Sequence, residues 1–282
     1  MGAASHIKST VSLAFIVSNL LFWIPGLVTL ALLKLTLPSL RTRLTHAMSW
    51  IYRRAVVVDD WWLQSVLGLT WNQPCPHLDP RGRYIVLCNH RSWSDTFLVQ
   101  SVITHTGPII NFLIKRELIF IPIIGLILWA YEFPVLRRRS APGSNDQTRR
   151  ERDRKALLEA CAVVKDSPAA LMIFAEGTRF SEAKRRRSGT SLRQVLPPRS
   201  GGFTTTFGAL KDDLTGVIDL TLVYREPVTF WQFLTGGVGP MQIDATVYES
   251  NQLPDNEEQL TEWLLQRWQE KDQRLSAAHA EH

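Results

Sequence analysis

Between Ser9 and Leu33 the chain runs for 25 residues without a charged side chain, STVSLAFIVSNLLFWIPGLVTLALL. As a helix such a run reaches across the hydrocarbon core of a bilayer, so the amino terminus is expected to be a membrane anchor. A cleaved leader fits less well: its apolar core is normally shorter, and no small-x-small site precedes Lys34. Pro25-Gly26 interrupts the run and leaves two forms open, one kinked span or two short arms dipped into one leaflet. Only Lys8 precedes the run, whereas Lys34, Arg41, Arg43, Arg53 and Arg54 follow it. By the positive-inside rule the rest of the chain is expected in the cytoplasm. Residues 1–70 are therefore expected to form an anchor and amphipathic helical segment, with residues 71–282 as the folded domain.

The remaining length suits one sizeable α/β domain. With 45% apolar and 21% charged residues, the chain is neither disordered nor polytopic. A net charge of +6 favours anionic partners: phosphates, acidic headgroups or nucleic acid. Cys75, Cys88 and Cys161 are odd in number and form no CxxC pair. That excludes a disulfide framework and a zinc ribbon, and no metal is expected.

Strands and helices alternate along the domain. Tyr84–Cys88 (YIVLC) reads as a buried strand with a helical pattern after it over Thr96–Ile103. Ile109–Ile114, Phe133–Leu136, Ala170–Phe174, Val217–Tyr224 and Met241–Val247 supply further strands, and Arg149–Lys165 a polar helix. Leu118–Tyr131 has 14 uncharged residues, too few to span a bilayer; a core helix and a membrane-surface helix both fit it. Glu257–Leu275 carries Leu260, Trp263, Leu264 and Trp268 at helical spacing, with Asp255 and Glu258 as the expected capping pair. The fold expected is α/β: a mixed, largely parallel sheet flanked by helices, with a membrane-anchoring helical segment at the amino terminus.

Motifs capable of chemistry fall at the ends of these strands. In Asn89-His90-Arg91-Ser92-Trp93-Ser94-Asp95 the histidine and aspartate are five apart. That spacing suits a histidine in a strand-to-helix turn and an aspartate on the first helical turn behind it. The carboxylate then fixes the imidazole tautomer and leaves its other nitrogen as a base. In Phe174-Ala175-Glu176-Gly177-Thr178-Arg179 the glycine permits a tight turn, the arginine presents a fork suited to phosphate, and Glu176 is placed to orient that fork. Arg137-Arg138-Arg139 follows a third strand. Open α/β sheets bind ligands beyond the carboxyl ends of their strands, so the three are expected to converge.

Together with Leu196-Pro197-Pro198-Arg199 and Gly202, these motifs resemble, in order, those of the 1-acylglycerol-3-phosphate acyltransferase (PlsC-type lysophospholipid acyltransferase) family. The flanks Cys88–Trp93, Lys115–Leu118, Pro122–Gly125 and Leu196–Arg199 look closest to its bacterial YihG-like branch. The resemblance extends from the apolar run to the tryptophan-rich carboxyl end. It implies His90 as general base and Asp95 as its orienting partner. It implies phosphate binding by Glu176, Gly177, Thr178, Arg179 and Arg138, with Arg137 and Arg139 one residue to either side. Lys115, Arg199 and Gly202 become further substrate contacts. The departures are Arg199-Ser200-Gly201-Gly202, where many members have a basic residue followed by x-Gly, and a second motif with no acidic residue just before its arginine.

What the resemblance implies is acyl transfer from acyl-CoA or acyl carrier protein to a lysophospholipid hydroxyl, without a cofactor, at the cytoplasmic face of a bacterial inner membrane. The exposed run Lys184-Arg185-Arg186-Arg187 suits an anionic carrier or acidic headgroups. Other classes lack their signatures. There is no G-x-S-x-G elbow for a serine hydrolase, and no zinc-finger spacing or RNP-type run for a nucleic-acid binder. A non-catalytic basic adaptor at the membrane would leave the strand-end motifs unexplained.

Overall fold

The computed structural model describes residues 2–72, 78–112, 114–133, 135–136, 146–165 and 168–280. The apolar run lies inside one helix, α1 (Ala3–Thr36), which continues through Pro25. Of the two forms left open, the single helix is observed. After a turn at Pro38–Leu40, α2 (Arg41–Trp61) runs back along α1. The direction follows from the contacts: Asn19 donates to Asp59 Oδ1 at 2.9 Å, Gly26 lies beside Ile51, and Ala31 packs with Met48. Leu21, Phe22, Leu32, Leu33, Trp50 and Trp61 stay exposed along this hairpin. An apolar surface of that extent belongs against lipid or protein.

The domain is a five-stranded sheet in the order β2-β5-β1-β6-β7. β1 (Tyr84–Cys88) is central, parallel to β5 (Ala170–Ile173) and β6 (Gly216–Val223). β2 (Ile110–Phe112) is parallel to β5, and β7 (Gln242–Glu249) returns antiparallel on β6. Every residue of β1 is buried, as a strand covered on both faces requires. Val86 and Cys88 face one core with Leu98 and Val102 of α3 (Asp95–Thr104). Ile85 and Leu87 face the other, built from α5 (Asp146–Lys165), α7 (Ser200–Leu210) and α9 (Glu257–Ala280). Fully buried Phe203 contributes roughly 1.5–3 kcal/mol there.

Three expectations are corrected. Within the run Ile109–Ile114, β2 pairs with β5, whereas β3 (Ile114–Lys115) pairs with β4 (Val135–Leu136) in a separate two-stranded sheet. The strand expected at Phe133–Leu136 therefore does not join the main sheet. At α9 the cap is Asn256, whose Oδ1 accepts from the Glu258 N–H at 2.7 Å, while Asp255 pairs with Lys211. The segment Leu118–Tyr131 is part buried and part exposed. After a 3₁₀ turn, Pro122 starts α4 (Pro122–Ala130), which buries Leu128 and Ala130 and exposes Leu126 and Trp129 beside Phe120.

The apolar hairpin generates a prediction. The full chain should remain with membranes through a high-salt wash and leave them only in detergent. Full-length protein in the salt supernatant would refute insertion and indicate charge-driven surface binding, which ions screen.

Candidate active site

β1, β5 and β6 are parallel, so their carboxyl ends collect on one edge of the sheet. Beyond β1, Asn89 holds the turn in place by exchanging two hydrogen bonds with the backbone of Leu222 on β6, at 2.8 and 3.0 Å. His90 follows, its ring stacked on Phe174 with centroids 3.9 Å apart. Its Nδ1 donates to Asp95 Oδ2 at 2.8 Å, and its side chain is 18% exposed against 0% for the carboxylate. Nε2 has no hydrogen-bond partner among the described residues. Asp95 sits in the first turn of α3, where the helix dipole favours a negative charge. The backbone N–H groups of Arg91 and Ser92 also donate to its Oδ2, at 2.6 and 2.9 Å.

Beyond β5, Gly177 has φ +67, the left-handed region that a side chain would strain. Glu176 is buried and bridges two segments: Oε1 accepts from the His90 N–H and Oε2 from the Leu196 N–H, each at 3.0 Å. Burial raises its pKa from the ordinary carboxylate value to about 7, against the opposing effect of those backbone donors. The Arg199 N–H donates to Ala175 O, which brings the fourth motif against the third.

Residues 73–225 match the model of the acyltransferase family. The chain belongs to that family. Among its relatives, mouse 1-acyl-sn-glycerol-3-phosphate acyltransferase delta is 28% identical over 249 residues, covering 83% of this chain and 62% of the relative. The human gamma enzyme is 25% identical over 277 residues, covering 93% of this chain and 71% of the relative. The crystal structure of the 1-acyl-sn-glycerophosphate acyltransferase PlsC from Thermotoga maritima has the same fold, with a TM-score of 0.53 at 15% identity, covering 96% of this chain and 98% of that one.

Within this acyltransferase, the residues singled out in the sequence take different places. His90, Asp95 and Glu176 form one bonded cluster. Arg179 does not pair with Glu176, because both glutamate oxygens are engaged by backbone. Its guanidinium lies over the Trp93 ring instead, 5.5 Å from the centroid, at the rim of the His90 turn. Thr178 Oγ1 accepts from Lys184 Nζ at 2.7 Å. The run Lys184–Arg187 is thus only partly free: Lys184 folds back onto this turn, and Arg185 and Arg186 pair with Glu182 in α6 (Glu182–Ser188). Arg199 lies against Gly177, and Gly202 is in the first turn of α7. Lys115 lies on β3, outside the main sheet. Arg137, Arg138 and Arg139 lie outside the described residues.

Two features of the site escaped the sequence. Tyr224, the residue after β6, donates to Asp95 Oδ1 at 2.7 Å. Its one visible signal was its place at the end of the apolar run Val217–Tyr224. Asp272 on α9 accepts from the N–H groups of Arg193 and Gln194, and Gln194 in turn receives Arg91. No sequence spacing links these four positions.

Glu176 generates a prediction. Its raised folded pKa gives stability that is fully present below about pH 4.5 and is lost as the pH rises through about 7. Glu176→Gln sets an N–H group against a backbone donor and should cost about 1–3 kcal/mol. The gap in melting temperature between wild type and variant should be widest near pH 5 and narrow toward pH 8. A gap independent of pH would show that Glu176 ionises alike in the folded and unfolded chain.

Proposed function

We propose that this acyltransferase moves a fatty acyl group from acyl-CoA or acyl carrier protein to the free hydroxyl of a lysophospholipid. The acceptor is 1-acyl-glycerol-3-phosphate and the product phosphatidic acid. The observation that carries this reading is the His90–Asp95 pair, with Nδ1 held by a buried carboxylate and Nε2 left unbonded at the edge of the sheet. The named activities of the mouse and human relatives support the same acceptor. The positive charge that follows α1 supports a site on the cytoplasmic face. The flanks of the first motif support a bacterial inner-membrane enzyme of the YihG-like branch.

In this reaction the acceptor hydroxyl attacks the thioester carbonyl carbon while Nε2 of His90 takes its proton. Asp95 stabilises the imidazolium that forms. Collapse of the tetrahedral intermediate breaks the carbon–sulfur bond, and the imidazolium returns the proton to the leaving thiolate. The step needs no covalent acyl-enzyme. Cys88, next but one to the base, is unsuited to form one, because it is fully buried and burial pushes its thiol well above the ordinary range. The guanidinium of Arg179, held at the rim by Trp93, receives the acceptor phosphate together with Arg138.

Purified full-length protein with labelled acyl-CoA and a panel of lysophospholipids tests this. Transfer to the glycerol phosphate acceptor is expected, whereas hydrolysis alone or no turnover would refute it. His90→Ala should reduce transfer by roughly 10²–10⁴-fold or more with the fold intact by circular dichroism. Asp95→Asn should fall into the same range, and the double variant should be little worse than His90→Ala, since the pair acts as a unit. Independent, multiplicative losses would give Asp95 a separate role. Arg179→Lys keeps the charge but loses the two-pronged fork, so it should raise the KM for the acceptor more than that for the donor. Unchanged acceptor kinetics in folded Arg179→Ala would remove that residue from the site.

A further inference from the structure

The two oxygens of Asp95 are served from different parts of the fold. Oδ2 takes all its donors from the turn that follows β1: His90 Nδ1, the Arg91 N–H and the Ser92 N–H. Oδ1 is met from β6, by the hydroxyl of Tyr224 at 2.7 Å, and it has no other donor among the described residues. Tyr224 is 3% exposed, and its oxygen lies 3.0 Å from Ser94 Oγ, which is itself fully buried. With the phenol proton directed at the carboxylate, Ser94 is the donor in that second contact. The result is a chain of hydrogen bonds, Ser94 to Tyr224 to Asp95, that ends on the carboxylate holding the imidazole.

We propose that Tyr224 is a positioning residue that lowers the basicity of the His90–Asp95 pair through its hydrogen bond to Asp95 Oδ1, an inference that rests on His90 acting as the base of acyl transfer. A buried carboxylate that shares its charge with a fourth donor holds an imidazolium less tightly, and the imidazole stays unprotonated to lower pH. The phenol is suited to this task. Burial and the neighbouring Asp95 charge push its own ionisation far above neutrality, so it remains a donor throughout the working range. The remaining titratable and charged groups around the pair are Arg91 on the same turn, Arg179 over Trp93 at its rim, Glu176 after β5, Cys88 on β1, the Lys271–Asp219 pair behind Cys88, and Asp272 facing Arg91. A Tyr224→Phe change removes none of them and leaves the ring in place.

The test uses the full chain in detergent micelles or nanodiscs with two readouts on Tyr224→Phe. One is the NMR titration of the His90 ring proton, assigned by its loss in His90→Ala. The other is the pH profile of kcat/KM for acyl transfer. The titration midpoint and the acid limb should both move to higher pH by about half a unit to one unit, as fits the loss of one charge-assisted hydrogen bond only partly transmitted to the ring. On the plateau, kcat should fall by less than about threefold, since Oδ2 still holds Nδ1. Ser94→Ala, which weakens the phenol as a donor, should shift both readouts the same way by less, and it carries the test if Tyr224→Phe does not fold. An unmoved midpoint in folded Tyr224→Phe, or in folded Ser94→Ala where that variant stands in, would overturn the proposal and leave Tyr224 a structural residue. A midpoint that moves in a protein without acyl transfer would uphold the tuning and overturn the acyl-transfer reading.

Discussion

A carboxylate with no solvent contact must be satisfied by protein donors, and Asp95 collects them from the end of the central strand and from its neighbour β6. Three come from the turn after β1 and the fourth from Tyr224 after β6. Left unpaired at this depth, the charge would be lost to protonation or would unfold the turn. The turn therefore has one workable shape, in which the backbone at Arg91 and Ser92 wraps the carboxylate and leaves the imidazole on the outside. The position of His90 is a consequence of how Asp95 is buried. The α3 dipole adds to the same end, because Asp95 stands at its positive terminus.

Glu176 does the same between segments. It joins the His90 turn to the Leu196 segment through two backbone donors, and the Arg199 N–H ties that segment back to Ala175. Asp272 holds the same segment from the far side, through Arg193 and Gln194. Three buried or half-buried carboxylates, on three different elements, thus fix the loops at the strand ends. Of the three, the Asp95 carboxylate is the one bonded to the His90 ring. The turn is held because each of these three carboxylates is matched by protein donors.

What could be read from the sequence followed the range of each interaction. The five-residue spacing of His90 and Asp95 is local and encodes its own geometry, and the buried run Tyr84–Cys88 announces a central strand through composition alone. Glu176 was visible as part of a motif, but its partners were not. They are backbone groups 86 and 20 residues away, which no side-chain pattern records. Tyr224 reaches Asp95 across 129 residues, and its meaning depends on β6 lying parallel to β1. The two-stranded sheet escaped for a similar reason. Ile114 pairs with Val135, 21 residues on, and that partner is set by the tertiary arrangement. The α9 cap failed by a single residue, because Asp255 and Asn256 carry equivalent capping chemistry and Lys211 draws Asp255 away.

The anchor is joined to the site by packing and not by a free linker. Ile16 of α1 is buried in the same cluster as Leu98 of α3 and Cys88 of β1. Near its start, α1 is tied to Trp231 twice, through the Ser9 hydroxyl at 2.7 Å and the His6 ring at 3.0 Å. Trp231 belongs to α8 (Phe230–Phe233), whose Phe230 stacks on Phe97 of α3. The helix that opens with Asp95 is therefore gripped at one side by the sheet and at the other by elements that touch the anchor. In a bilayer this arrangement couples the depth of the hairpin to the height of the strand-end loops. On the reading proposed above, the fatty chains and the reacting hydroxyl of the acceptor are separated by a fixed number of bonds, so His90 held at fixed height selects that hydroxyl by position before any contact with the phosphate is made.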